Sequence, residues 1–327
     1  MDVELTPDCR ARPYRGPVDH AVMAAILSAY RRHHSDNEQP TAEQFDTTYA
    51  HLVNCDPYRD AWLLEVDGAT IGYGRTSWED HHAGLRSWVP FAVIHPDHLT
   101  EARYTAFVRL LEDHASSMPA GERPPDQFLA FAPHPGPDLP ADGEAGWLEA
   151  MGYGPFRFGA TLVRPHLDDI PDVRLPDGVA LRSVEPHHIR PIWDAHWEAF
   201  RGQWDFREAT DEDFRAFVDN PELDPSLWKI AWAGDQVVGQ VKSHIIASEN
   251  EAEGRRRGYT EEISTHAAWR GRGIAGALVC ESLHELRRRG MTEAALGADT
   301  ENPSAFGLYQ RLGFVVTSYE AVYTKTR

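Results

Sequence analysis

Three stretches of the chain carry residue types and spacings suited to chemistry. Thr260-Glu261-Glu262-Ile263-Ser264-Thr265-His266 has the β-branched content of a short strand and holds two adjacent carboxylates. It delivers the chain to Arg270-Gly271-Arg272-Gly273-Ile274-Ala275-Gly276, where a helical pattern begins. Strand, glycine turn and helix N-terminus make an anion site, because glycines let backbone N–H groups approach a phosphate and the unpaired amides and dipole of a first turn attract it. The dipole contributes only about 0.3–1 kcal/mol per anionic group, so Arg270, Arg272 and several amides must act together. The third stretch runs from Asn302 to Phe314, with Asn302 placed to cap a helix ahead of Pro303 and with Tyr309 inside that helix. Gly271, Gly273 and Gly276 also spell the GxGxxG dinucleotide fingerprint. Only about 50 residues follow Gly276, too few for the further βα units a doubly wound nucleotide fold needs, which sets a nicotinamide-dependent oxidoreductase aside.

The elements that position these residues are readable from periodicity. After Gly273, Ala275, Leu278, Val279, Ser282, Leu283 and Leu286 form one helical stripe. Arg287, Arg288 and Arg289 suit the negative end of that helix, and Gly290 sits where a left-handed cap is expected. Two strand-like runs meet at Gly234-Asp235, and the same device occurs about 167 positions earlier around Asp67-Gly68. Each hairpin is followed by a strand (Trp88 to Ile94, Thr260 to Ala267), a helix, a second strand (Phe128 to Ala132, Glu293 to Ala298) and a helix ending in Gly-aromatic, Gly152-Tyr153 and Gly313-Phe314. Pro165, Pro171 and Pro176, interleaved with Asp168, Asp169 and Asp172, read as a linker. The expected organisation is α/β (α+β), two tandem units over 1–165 and 177–327 joined by 166–176, each a mixed, mainly antiparallel sheet flanked by helices.

The 327 residues are 42% hydrophobic and 25% charged, an ordinary globular composition. With 32 Lys plus Arg against 51 Asp plus Glu, the formal charge of −19 repels nucleic-acid backbones. No run of about 18 apolar residues suggests a membrane helix. The acidic opening Met1-Asp2-Val3-Glu4 does not read as a signal peptide, so a cytoplasmic protein is expected. Cys9, Cys55 and Cys280 are far apart and read as reduced thiols. The pairs His33-His34, His81-His82 and His187-His188 point apart on any regular element, so no metal site is expected. Monomer or weak dimer is the expected state.

Arg270, Gly273 and Ala275, followed by Asn302, Ala305, Leu308, Tyr309, Gly313 and Phe314, resemble the two signatures of the GNAT superfamily of acetyl-CoA-dependent N-acyltransferases: the pyrophosphate loop, and the Asn-x-x-Ala-x-x-Leu-Tyr-x-x-x-Gly-Phe segment. The likeness covers residues 177–327 and, more weakly, 1–165. It looks like the tandem-GNAT architecture of mycothiol synthase-like bacterial acetyltransferases, a shared architecture that does not fix the acceptor. The first half departs from the pattern. Leu99-Thr100-Glu101-Ala102 stands in place of the glycine turn and Leu148 in place of Tyr309, so that half is expected to be a degenerate scaffold.

The resemblance implies acyl transfer from acetyl-CoA to the amine of a small molecule by direct attack, catalysed by the C-terminal half. It assigns cofactor binding to Ser264, Thr265, Arg270, Gly271, Arg272, Gly273, Ile274, Ala275, Asn302 and Ser304, and makes Tyr309 the acid beside the leaving sulfur. A glutamate of the strand then removes the amine proton. Alternation puts Glu261, Ile263 and Thr265 on one face and Glu262 and Ser264 on the other, favouring Glu261; a bulge would exchange it for Glu262. The best-known family spacing falls instead on Tyr259. Aromatic residues from Trp193 to Phe217, Trp204 and Phe206 among them, lie where relatives wall the acceptor site. A non-catalytic acyl-CoA-binding regulatory protein is the competing expectation, disfavoured because a sensor needs no proton donor. Arg255-Arg256-Arg257 is expected to be a solvated loop.

Overall fold

The computed structural model describes residues 2–327 except 35–38, 82–83, 119–125, 204–205 and 221–222; His82 and Trp204 therefore lie outside the described residues. Compactness divides the chain into two units, one of Met1–Phe158 with Ser318–Arg327 and one of Gly159–Thr317. This differs from the boundary drawn along the chain at 166–176, and the reason is an exchange of closing strands described below.

Unit 1 is built from β1 (Val3–Thr6), β2 (Cys9–Pro13), α1 (His20–His33), α2 (Ala42–Ala50), α3 (Pro57–Asp60), β3 (Ala61–Val66), β4 (Ala69–Asp80), β5 (Arg86–Ile94), α4 (Glu101–Ser117), β6 (Asp126–His134) and α5 (Gly143–Ala150). From β7 (Gly154–Arg164) onward the chain supplies unit 2: β8 (Ala180–Arg182), α6 (Ile189–Phe200), α7 (Asp211–Val218), β9 (Lys229–Ala233), β10 (Gln236–His244), α8 (Ala247–Glu253), β11 (Arg257–Thr265), α9 (Ile274–Arg288), β12 (Glu293–Asp299), α10 (Pro303–Arg311) and β13 (Val315–Thr326). The expected repeat is present. The β3–β4 and β9–β10 hairpins lead into β5 and β11, which pair in parallel with β6 and β12 across α4 and α9. The other strand pairs are antiparallel, so each sheet is mixed and flanked by helices, as the sequence pattern predicts. Asp67 and Gly68 both have positive φ, the geometry that lets a two-residue turn follow strand twist. A second echo escapes the sequence reading: α2 and α7 both start with capping boxes, Thr41 with Gln44 and Thr210 with Asp213.

The closing strands are exchanged. In unit 1 the sheet runs β1-β2-β3-β4-β5-β6-β13, and in unit 2 it runs β7-β12-β11-β10-β9-β8. β13 pairs Tyr319–Thr326 with His134–Gln127 of β6, and β7 pairs Gly159–Arg164 with Asp299–Ala294 of β12. The strand after α5 thus finishes the sheet of unit 2, and the strand after α10 finishes that of unit 1. Ala321 and Tyr323 are fully buried among Phe107, Leu111 and Trp88 in the core of unit 1. Lys325 reaches Glu112 at 2.7 Å and Arg327 reaches Asp126 at 2.7 Å.

In unit 2, α9 lies against β9, β10 and β11, and its burial is wider than the predicted stripe: Ile274, Ala277 and Cys280 are also enclosed. Glycines set the approach. A Cβ at Gly258 would stand 2.4 Å from Leu286, and one at Gly239 would stand 2.6 Å from Ile274. Gly290 takes the left-handed conformation expected of the cap.

Tyr323→Ala should destabilise the protein by about 3–5 kcal/mol through the cavity it opens. Urea unfolding followed by tryptophan fluorescence checks this; a loss under 1 kcal/mol would mean that β13 is dispensable to unit 1.

Candidate active site

The centre of unit 2 is the seam between β10, β11 and β12. Parallel pairing of β11 with β12 covers Arg257↔Glu293, Gly258↔Ala294 and Tyr259↔Ala295, after which the two strands no longer pair with each other. Glu261 spans this opening, its Oε1 accepting from the Gly297 amide at 3.1 Å. On the other side, β11 pairs with β10 from Gly239↔Thr265 and Gln240↔Ser264, slips, and resumes at Lys242↔Glu261. The slip is a β-bulge centred on Glu262, which has φ 48° although it is not glycine.

The bulge overturns simple alternation. Ser243 touches Ser282 of α9 at 2.6 Å, so Ser243 and its partner Thr260 face α9; Lys242 and its partner Glu261 face the opposite side. Glu262, displaced by the bulge, projects to that same side. It accepts from Lys242 and lies 3.5 Å from His196 Nδ1 of α6. The two glutamates are therefore neighbours on one face rather than alternatives on two.

Lys242 is the residue the sequence reading missed. Its ammonium is buried against Phe217 at 4.6 Å, Trp228 at 5.4 Å and Trp193 at 6.0 Å from the ring centroids. Burial pushes its pKa down, and Glu262 opposes that shift. His196 stacks on Phe200 at 4.6 Å; burial pushes its pKa down to about 4, with Glu262 opposing and Lys242 reinforcing, so the ring is neutral at pH 7. The only sequence signal for this group is a lysine closing the apolar run Val237-Val238-Gly239-Gln240-Val241. Tyr259 stacks on His244 at 4.9 Å and donates to Glu249 at 2.6 Å.

Tyr309 comes from α10 and is buried. Burial first, and then the charge of Glu261, push its phenol up to about 12, so it holds its proton throughout the neutral range. Asn302 caps α10 as expected, its Oδ1 accepting from the Ala305 amide at 3.2 Å with Pro303 in the first turn; Ser304 is exposed beside it.

The glycine turn lies between β11 and α9. Gly271 and Gly273 have φ 74° and 81°, and a Cβ on either would meet nothing within 4 Å, so the turn is open as well as left-handed. No side chain caps α9. Its first-turn amides, including those of Ile274 and Ala275, are left for an outside acceptor. Arg270 Nε binds the Thr265 carbonyl at 3.1 Å and its Nη2 the Ala199 carbonyl at 2.7 Å, tying the turn to the ends of β11 and α6. Arg272 donates to the Ala268 carbonyl at 3.2 Å. These residues fit a phosphate-bearing cofactor: an open cradle, bare amides and two flanking guanidinium groups. Ser264 and Thr265 end β11 next to it.

Unit 1 offers no such site at the matching place. Thr100 Oγ1 accepts from the Arg103 amide at 3.4 Å and caps α4, and Glu101 stands in its first turn. β4 and β5 pair without a slip from Gly72↔Ile94 to Asp80↔Arg86. The basic run before β11 is ion-paired rather than merely solvated: Arg255 meets Glu249, and Arg257 meets Glu293 at 2.7 Å.

Residues 189–314, all of them in unit 2, match the family model described as acetyltransferase (GNAT) family, and the chain is an acetyltransferase. It is 28% identical over 317 residues to a mycothiol acetyltransferase of Geodermatophilus obscurus, covering 95% of this chain and 96% of that one. A mycothiol acetyltransferase of Thermomonospora curvata is 27% identical over 302 residues, covering 91% of each chain. Among solved structures, a GCN5-related N-acetyltransferase from Sphaerobacter thermophilus shares the fold with a TM-score of 0.72, 24% identity and coverage of 98% and 96%. A tandem GNAT protein from the clavulanic acid biosynthesis pathway does so with a TM-score of 0.65, 15% identity and coverage of 97% and 98%.

The aromatic segment above this face is pinned by Asp213, which accepts from both Arg207 terminal nitrogens at 2.7 Å and from the Thr210 amide at 2.7 Å. Burial alone would raise its pKa, but these hydrogen bonds outweigh it and bring it down to about 2. A depressed carboxylate stabilises the fold above its unfolded pKa near 4 and loses that contribution as pH falls through 2. Asp213→Asn should therefore cost about 2 kcal/mol at pH 7 and progressively less between pH 4 and pH 2. Urea midpoints of the two proteins across that range check it.

Proposed function

We propose that the protein transfers the acetyl group of acetyl-CoA to the amine of a small molecule, and that unit 2 performs the reaction. The observation that carries this reading is the asymmetry of the two units. Among the described residues, only unit 2 combines an uncapped helix behind open glycines with a carboxylate and a protonated phenol at the neighbouring strand opening. Relatives that match most of the chain and are named mycothiol acetyltransferases support a low-molecular-weight acceptor.

Acetyl-CoA would supply an activated thioester, its phosphates held by the amides of Ile274 and Ala275 with Arg270 and Arg272 beside them, and its pantetheine arm running past Ser264 and Thr265 toward Asn302 and Ser304. The opening between β11 and β12 leaves strand amides free to polarise a carbonyl, the role of an oxyanion hole. Glu261 is the base for the acceptor amine. Its carboxylate lies at that opening, held by the Gly297 amide and close enough to Tyr309 to raise the pKa of the phenol, whereas Glu262 is turned to Lys242. Tyr309 is the acid for the leaving sulfur: a phenol near pKa 12 is fully protonated at neutral pH and presents its O–H to the sulfur as negative charge develops there. The acidic surface favours cationic acceptors at long range, an effect screened beyond about 8 Å at physiological salt.

Tyr309→Phe should lower kcat by roughly 10² to 10⁴ while leaving the KM for acetyl-CoA within a few-fold, read from thiol release with an amine library as acceptor. An unchanged kcat removes Tyr309 from the mechanism. Calorimetry should give one acetyl-CoA site per chain, abolished by Gly273→Trp; two sites would show that unit 1 also binds the cofactor.

A further inference from the structure

The internal repeat pairs Gly72 with Gly239 and Arg75 with Lys242, since the two hairpins run in step. The cross-strand partner of Lys242 is Glu261, and that of Arg75 is Phe91. Unit 2 therefore gives its buried cation a counterion through the bulge at Glu262, whereas unit 1 keeps the cation, lacks the bulge and puts an aromatic ring where the carboxylate would be.

Arg75 is half-buried and, among the described residues, has no carboxylate within ion-pairing distance. Its Nε is buried and without a hydrogen bond. The guanidinium lies 4.8 Å from the Phe91 ring centroid and 5.8 Å from that of Tyr49. Tyr49 is 93% buried, and its hydroxyl has the Arg75 guanidinium as its polar neighbour. The acids nearest this corner are engaged elsewhere. Asp60 accepts from His114 at 2.9 Å and from the Asp56 amide at 2.7 Å, and Asp56 caps α3. Cys55, also facing Arg75, is a neutral thiol that burial pushes up to about 12. The guanidinium thus has ring faces and a hydroxyl beside it but no anion, and a partly enclosed cation without a counterion costs free energy. Arg forks match carboxylate geometry in two parallel hydrogen bonds, and the surrounding rings of Tyr49, Phe91 and Tyr73 suit an apolar body behind the charge.

We propose that Arg75 and the Tyr49 hydroxyl form a binding site in unit 1 for a small carboxylate carried on an apolar group. A carboxylate suits the site better than a phosphate: one negative charge balances one guanidinium, and the aromatic walls would penalise a second. The site stands independently of the acetyl-transfer reading, because its probe and its readout involve neither acetyl-CoA nor turnover.

The test uses the full chain and benzoate as probe, with acetate, inorganic phosphate and sodium chloride at matched ionic strength as controls. Calorimetry and thermal shift should show saturable binding of benzoate, one per chain, weaker binding of acetate and no specific effect of chloride. Arg75→Met should weaken benzoate at least tenfold and, with no ligand present, melt no lower than wild type, because it removes an unpaired cation; Tyr49→Phe should weaken benzoate several-fold. If Arg75→Met does not fold, Tyr49→Phe carries the test alone, since it removes a single oxygen. No saturable benzoate binding, equal binding by the variants, or binding of phosphate in preference to benzoate would each overturn the proposal.

Discussion

One residue in a left-handed backbone conformation organises the candidate active-site face of unit 2. Holding Glu262 at φ 48° costs on the order of 1–3 kcal/mol, and the surrounding pairs must over-determine it. Lys242 does so from β10: an ammonium enclosed by Phe217, Trp228 and Trp193 requires an anion, and only a bulged β11 brings the Glu262 carboxylate to it. With Glu262 so engaged, Glu261 remains at the strand opening, where Gly297 steadies it beside Tyr309. The different placements of two adjacent glutamates thus follow from the desolvation of one lysine.

The same constraint explains how far the sequence could be read. Hairpins, parallel crossovers, the cap at Asn302 and the glycine turn are local or periodic signals, and each appears where its pattern places it. The arrangement of Glu261 and Glu262 is not local. Alternation assumes an unbroken ladder, and whether β11 slips depends on Lys242, twenty positions away, and on which rings enclose it. The bulge was legible as an option but its outcome was not, since both carboxylates end on one face. The exchange of β7 and β13 was equally invisible, because a strand's own residues state that it is half-buried, not which sheet buries it.

The two units show what a duplicated fold retains and what it changes between its copies. Both keep the hairpin, the capping boxes of α2 and α7 and the Gly-aromatic ends after α5 and α10, all of which serve folding. The differences fall where binding would occur. Thr100 fills the helix end that Gly273 leaves bare, Phe91 replaces Glu261, and the β4–β5 ladder runs without the slip found in β10–β11. Capping α4 with a side chain and Glu101 stabilises the helix by the same interactions that would repel a pyrophosphate.

The exchanged closing strands also bear on how the chain is made. Unit 1 has most of its residues in the first half of the sequence, yet its sheet lacks β13 until Ser318–Arg327 have been synthesised. Domains generally fold in order during synthesis, but here the earlier unit must wait, with the edge of β6 open, until unit 2 has been made and β13 follows it. A stop codon just before Ser318 would spare every candidate catalytic residue of unit 2 and remove instead the final strand of unit 1. Loss-of-function changes at the C-terminus would then arise from an unfinished neighbour rather than from damaged chemistry.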